Sequence, residues 1–269
     1  MKRLLLPAFS VAASILAVAA CDPDLTLKGV PGEPATEGGP IVAPDAQPTG
    51  DGGPNLEGGP SEGGADGGAP HKIDGINDFA PGDKLTTSSP AYDGYVSWDD
   101  TNVYFGMSGA DVGASSSSKW VLIYVDGNPG NAGSALGIGY DCSAACLSQK
   151  ANLPFNAGYH LRWKADGSYT NLQKWDGAKW SDVGPISTVD RKGTFMELSI
   201  TRAALGKPTK LKVHMNMLIE QKDAEWTYAG VPSSSFLPGG DGPNATFTKF
   251  YEFDLADRAK APSAYAPKP

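Results

Sequence analysis

The chain is poor in cysteine and histidine, with three of each among its 269 residues. The histidines, His71, His160 and His214, are far apart, and none belongs to an HExxH zinc motif. The sequence also has no GxSxG nucleophile elbow, no P-loop and no complete GxGxxG nucleotide-binding loop. We therefore expect no catalytic activity of the kinds that these motifs mark. Carboxylate pairs occur in any acidic chain, so glycoside hydrolysis remains an alternative.

Basic charge is scarce as well, and the net charge is -8. Residues 22–70 account for most of it, with nine acidic residues against Lys28 alone, whereas the chain from His71 onward is close to neutral. No basic face for nucleic acid and no polybasic patch for anionic lipid can be built from this distribution. Nucleic acid is therefore excluded as an expected partner.

Residues 22–70 also have no aromatic residue and consist largely of glycine, proline and acidic positions. Such a segment cannot bury enough apolar surface to offset the entropy of ordering, so we expect a disordered linker over residues 21–70. A glycine-rich coil of this length spans roughly 40 Å. The linker would hold the following domain away from its attachment point.

The attachment point is predicted at the start of the chain. Lys2 and Arg3 precede an apolar run over residues 4–20, which ends in Ala19-Ala20 before Cys21. This order is typical of a secretory signal peptide, here residues 1–20. The ending resembles the bacterial lipobox, which implies lipidation of Cys21 and a membrane partner reached through the lipid anchor. The expected location is the bacterial cell envelope, on the periplasmic face or the cell surface; an ordinary secretory signal is the alternative.

Residues 71–257 read as short strands separated by turns, and residues 258–269 as a flexible C-terminal tail. Alternating patterns occur at 95–107, 159–163, 169–175, 194–200 and 211–219, and residues 119–126 are apolar on both faces. The Asp166-Gly167 and Asp176-Gly177 dipeptides favour tight hairpin turns. Only residues 201–206 look helical, for about one turn. We predict an all-β antiparallel β-sandwich.

The remaining cysteines, Cys142 and Cys146, lie four positions apart. Outside the cytoplasm such a pair favours a disulfide that closes a small loop. A metal site is the competing interpretation, but no further ligands lie near in sequence.

Three local patterns occur in order along the domain: IDGIND followed by VSWDDTNVYF, then VLIYVDGNPG, then MELSI ahead of ALG. Together they resemble the family 9 carbohydrate-binding modules and their DOMON-like relatives. The resemblance covers most of residues 71–255. It implies a β-sandwich that binds sugars, in some members with structural calcium, while some relatives bind haem.

A sugar site needs flat aromatic faces and a few polar groups. We expect Trp98 and Trp120 in the core, because they lie in apolar runs. The candidate carbohydrate-binding residues have polar or charged neighbours: Trp163, Trp175, Trp180 and Trp226. Trp175 and Trp180 flank one predicted hairpin turn, where they could form a stacking platform or only a stabilising cross-strand pair.

Metal and haem ligands are less well marked. Calcium could bind oxygen ligands at Asp126 and Asn128, with Asp74 and Asp78 as a second candidate, although turn capping is the favoured explanation of these aspartates. Haem ligation would need His160 or His214 with Met215 or Met217. We expect His214 to face solvent, because it alternates with Met215 along a strand.

These patterns lead to two functional hypotheses. The first is a membrane-anchored envelope lipoprotein that displays a noncatalytic, carbohydrate-binding β-sandwich. The second is a structural or protein-interaction module of the envelope that has no sugar site.

Overall fold

The computed structural model describes residues 71–127, 133–137, 151–220, 226–235 and 245–269. About half of the described residues lie in β-strands and very few in helices, so the regular structure is almost entirely β, as the alternating patterns predict. The elements are β1 (Lys84–Thr86), β2 (Asp93–Trp98), β3 (Asn102–Ser108), α1 (Ala110–Gly113), β4 (Lys119–Asp126), β5 (Ser134–Leu136), β6 (Asn152–Ala157), β7 (Tyr159–Lys164), β8 (Thr170–Trp175), β9 (Trp180–Gly184), β10 (Val189–Lys192), β11 (Phe195–Thr201), β12 (Lys210–Ile219), β13 (Trp226–Val231) and β14 (Tyr251–Asp254). Two 3-10 turns, Pro81–Asp83 and Pro262–Ala264, complete the set.

The strands form two antiparallel sheets that pack as a sandwich, which confirms the predicted fold class. The five-stranded sheet has the order β1-β2-β3-β11-β10. The seven-stranded sheet has the order β13-β12-β4-β7-β8-β9, and β14 also pairs with β12. A further pair, β5 and β6, forms a two-stranded sheet of its own.

The main core lies between the two sheets and follows the strand alternation. From the smaller sheet it takes residues such as Phe105, Met107 and Met196, and from the larger sheet Ile123 and Met215, all fully buried. Trp98 packs against this core, as predicted. Trp120 is buried as well, but on the other face of β4, in a small cluster with Leu122 and Leu218. Burying apolar surface at roughly 25 cal/mol per Å² makes this layer the main source of stability.

The seven-stranded sheet is covered on its second face too, which we call the outer face. A second apolar cluster lies there, formed by Tyr124, Ala151, Leu153, Phe155, Ala157, Ala245, Phe247 and Phe250. The segments around β6 and residues 245–250 supply most of it, and a parallel bridge joins Asn152 to Thr246. This cover explains why β4 is apolar on both faces: it is an inner strand with protein on either side.

Two local predictions are wrong. Residues 201–206 form a hydrogen-bonded turn and not a helix, although Thr201 does accept a hydrogen bond from the Ala204 amide and Gly206 has a positive φ. The expected flexible tail at 258–269 instead packs on the sandwich. Tyr265 contacts Phe253 and Trp98, and the backbone of Lys268 pairs with Phe250. The contacts of Tyr265 hold this segment on the sandwich, although its alanine- and proline-rich composition predicts a flexible tail.

No helix among these described segments is long and apolar enough to cross a membrane.

Candidate functional site

The outer face of the seven-stranded sheet carries polar side chains in a row that crosses several strands. Because side chains alternate along each strand, residues in register fall on the same face. The row consists of His160 and Arg162 on β7, Asn171 and Gln173 on β8, Asp182 on β9, and His214 and Asn216 on β12. All except Asp182 are buried.

A hydrogen-bonded chain runs from the interior of this row to its exposed edge. The Arg162 guanidinium donates through Nη2 to Oδ1 of Asn171, and Nδ2 of Asn171 donates to Oδ1 of Asp182 at 2.8 Å. The amide of Gln173 lies 2.6 Å from the same Asn171 oxygen. The Gly184 amide also donates to Oδ1 of Asp182, at 2.7 Å. The second oxygen of Asp182 makes no hydrogen bond with the rest of the described chain, so it can accept one from a ligand.

Arg162 is an unusual residue to find at 1 % exposure. Its burial lowers its pKa to about 10, while the neighbouring Tyr169, Tyr124 and Asp182 favour the charged form. The guanidinium also lies 5.6 Å from the centre of the Tyr169 ring. Buried charge of this kind is common at functional sites, although structural networks produce it as well.

Two of the predicted tryptophans border this polar row. Trp175 and Trp180 are directly opposed in the β8–β9 ladder, with ring centroids 5.7 Å apart and ring planes at 72°. Trp180 also lies 6.1 Å from the His160 ring. Both indoles are partly exposed. Their edge-to-face arrangement offers single ring faces to a ligand and not one flat two-ring platform.

The other two predicted tryptophans do not join them. Trp163 is only 3 % exposed and lies in the core between the sheets, because Arg162 and Lys164 take the outward positions on either side. Core burial removes Trp163 from any sugar-contacting set. Trp226 is 45 % exposed, but it begins edge strand β13, five strands from β9. At about 4.8 Å per strand, this separation is about 24 Å.

The structure places only some of the predicted calcium and haem ligands. Asp126 lies 3.5 Å from the Lys212 ammonium, a cation that already balances its charge, and Asn128 lies outside the described residues. Cys21, Cys142 and Cys146 lie outside them as well. For haem, Met215 and Met217 point into the core between the sheets, whereas His160 and His214 occupy the outer face. The sheet separates the two ligand types, so they cannot bind one iron together.

The expectation that His214 faces solvent is wrong. The strand alternation does point it away from Met215, but the cover on the outer face buries it completely. Its ring stacks on Phe247 with centroids 4.0 Å apart. His160 is likewise stacked on Tyr124, at 4.1 Å, and burial lowers the pKa of both histidines to about 3.

Acidic and imidazole groups also converge at the other sheet. His71, Asp78 and Glu197 bring one possible ligand atom each to within 4.8 Å of one another. Burial raises the pKa of Glu197, against the effect of two backbone amides that hydrogen-bond to it. Sequence reasoning missed this group, because Glu197 is more than a hundred residues from His71.

No family model matches the chain, and neither a curated protein nor a solved structure shows significant similarity to it. The resemblance to carbohydrate-binding modules therefore rests on the sequence patterns alone and stays a prediction.

Proposed function

We propose that the protein is a membrane-anchored lipoprotein of the bacterial cell envelope whose β-sandwich binds carbohydrate without catalysis. The anchor is the lipid on Cys21, and residues 22–70 are the spacer. The ligand site is the exposed end of the polar row, where Asp182 lies beside the Trp175–Trp180 pair. The observation that carries the proposal is the hydrogen-bonded chain Arg162–Asn171–Asp182 next to two partly exposed indoles.

The chemistry of this place suits a sugar. Carbohydrates present C–H faces that pack on aromatic rings and hydroxyl groups that need donors and acceptors fixed in position. Oδ1 of Asp182 accepts hydrogen bonds from Asn171 and from the Gly184 amide. These two bonds fix the orientation of the carboxylate and leave Oδ2 available to a ligand.

A second candidate is a protein-interaction module of the envelope with no sugar site. The 72° angle between the indoles favours it, because an edge-to-face pair is what a hairpin uses for its own stability. Glycoside hydrolysis has less support. The carboxylates of Asp78 and Glu197 lie close together beside His71, but Glu197 is fully buried and cannot reach a glycosidic bond.

The test is a titration of the purified full-length protein with a panel of soluble glycans, followed by tryptophan fluorescence. We expect saturable quenching by one glycan class. Trp180→Ala and Asp182→Ala should each weaken binding by about tenfold or more, since each removes a central contact of about 1.4 kcal/mol. Trp226→Ala is the matched control, because it removes an exposed indole at the opposite edge of the same sheet.

Two results would contradict the proposal. One is a flat response to every glycan from protein whose circular dichroism shows a folded sandwich. The other is equal loss of binding in Trp226→Ala and Trp180→Ala, which would place the ligand elsewhere. The first result would leave the protein-interaction module as the better explanation.

A further inference from the structure

The first described segment of the domain, residues 71–79, lies against strand β11 of the five-stranded sheet. The backbone amides of Asp74 and Gly75 donate hydrogen bonds to Oε1 of Glu197, at 2.8 and 2.7 Å. Gly75 has a φ of +75°, and a Cβ there would lie 2.7 Å from the backbone of Arg191 and Lys192. Only glycine allows this close approach. The segment is therefore held tightly against β10 and β11.

This contact fixes the orientation of the buried Glu197 carboxylate. With Oε1 occupied by two amides, Oε2 is directed toward His71, whose Nε2 lies 3.2 Å away. The same nitrogen lies 2.9 Å from Oδ1 of Asp78. The His71 ring is held in place by Phe79 and Tyr104, with centroids 4.2 and 4.9 Å from it.

None of these approaches has the geometry of a hydrogen bond. Nε2 of His71 and Oε2 of Glu197 are both buried polar atoms that no hydrogen bond satisfies. The Glu197 side chain is 0 % exposed, so bulk water does not reach it. A buried carboxylate oxygen without a hydrogen bond is costly, so it needs a cation beside it, either a protonated His71 or a metal ion.

The spacing of the three atoms suits a metal ion. A tetrahedral zinc ion with bonds of 2.0–2.2 Å holds its ligand atoms about 3.4 Å apart. The two distances from the imidazole nitrogen, 2.9 and 3.2 Å, are close to this value, and all three possible ligand atoms lie within 4.8 Å of one another. The Asp78 side chain is 44 % exposed, which leaves an open side for ion entry and for a water ligand.

We propose that Nε2 of His71, Oδ1 of Asp78 and Oε2 of Glu197 bind a divalent transition-metal cation of the zinc class. Imidazole combined with two carboxylates is a donor set for such ions, whereas calcium takes oxygen ligands only. The two amides on Oε1 supply the supporting contacts that orient a metal-binding carboxylate. The bound ion would join the beginning of the sandwich to β11, at a distance from the carbohydrate site and independently of it.

The test is a calorimetric titration of the full-length protein with Zn²⁺ after removal of metal with a chelator. We expect one site per chain, and binding weakened at least about tenfold in both Asp78→Asn and His71→Gln. Asp74→Asn is the matched control, because Asp74 belongs to the same segment but pairs with Lys72 at 3.0 Å and caps the Ile76 amide. Replacement of Zn²⁺ by Co²⁺ should give a visible absorption band that Asp78→Asn removes.

Three outcomes would overturn the site. Folded protein that binds no Zn²⁺ would mean that His71 and the carboxylates form an ion pair only. Zn²⁺ binding that survives both Asp78→Asn and His71→Gln would place the ion on other ligands. Displacement of Zn²⁺ by Ca²⁺ at comparable concentration would identify an oxygen-ligand site. Because Asp78 lies at the surface, its substitution tests the ligand role without disturbing the buried Glu197.

Discussion

At the scale of single residues, the two histidines under the outer cover are the most unusual feature of the seven-stranded sheet. His160 and His214 are completely buried and stacked on aromatic rings, and burial lowers the pKa of each to about 3. In the unfolded chain a histidine has a pKa of about 6.5. Between these two values the unfolded chain binds more protons than the folded protein does.

We therefore expect the free energy of unfolding to fall as the pH is lowered from 7 to 5. Each buried ring should contribute a loss of about 2 kcal/mol at pH 5, by proton linkage. His160→Phe keeps the stacking on Tyr124 but removes the titration, so its unfolding free energy should change about half as much over this range. Urea unfolding at several pH values measures this difference. Equal pH dependence in the two proteins would contradict the predicted burial of an uncharged His160.

Sequence reasoning reached part of this residue-level picture. Strand alternation correctly separates His214 from Met215. It could not show that the outer face is covered, because no local pattern indicates that residues 151–157 fold back over the sheet or that residues 245–250 join them. Charged neighbours do not indicate exposure at Trp163, because Arg162 and Lys164 occupy the opposite face of the strand. The alternation of Leu161 and Trp163 with Arg162 already indicates an inward tryptophan.

At the scale of elements, the β8–β9 hairpin supports the candidate sugar site. Its turn depends on Asp176, whose Oδ1 accepts hydrogen bonds from the amides of Ala178 and Lys179, each at 2.9 Å. Oδ2 accepts a third from the Ser181 hydroxyl at 2.7 Å. These donors lower the pKa of Asp176 to about 2, so the turn keeps its carboxylate charged at ordinary acidities.

Asp176→Ala should loosen this hairpin, because it removes three hydrogen bonds from the turn. We expect faster amide hydrogen exchange over residues 173–182 and weaker glycan binding. Asp166→Ala is the control, since Asp166 supports the neighbouring β7–β8 turn through Ser168, away from the two indoles. If Asp166→Ala weakened glycan binding as much as Asp176→Ala does, the effect would reflect general destabilisation.

The turns and the strands were the most predictable elements. Asp-Gly dipeptides predict both hairpin turns, and Gly167 and Gly177 do have positive φ angles, 75° and 104°. The sheet order could not be predicted, because β11 pairs with β3, and β12 with β4, across long separations along the chain. The group formed by His71, Asp78 and Glu197 could not be predicted either, because Glu197 is distant from the other two residues along the chain.

At the scale of the whole molecule, the proposed anchor and spacer decide where the sandwich works. Cys21→Ser should move the protein from the membrane fraction to the soluble fraction, because stable anchoring requires acyl chains that serine does not receive. Detergent phase partitioning with immunodetection measures this. Cys142→Ser, the same substitution elsewhere in the chain, should leave the protein in the detergent phase. Detergent-phase recovery of Cys21→Ser would exclude lipidation at this position as the anchor.

The two hydrogen bonds from the amides of Asp74 and Gly75 to Glu197 have a mechanical consequence. Tension applied through the residues before His71 would load these two hydrogen bonds before it reached β1, the first strand of the sheet. The two amides share one carboxylate oxygen, so they are loaded together and should yield together. We therefore expect this contact to break under tension before the strand ladder behind it does.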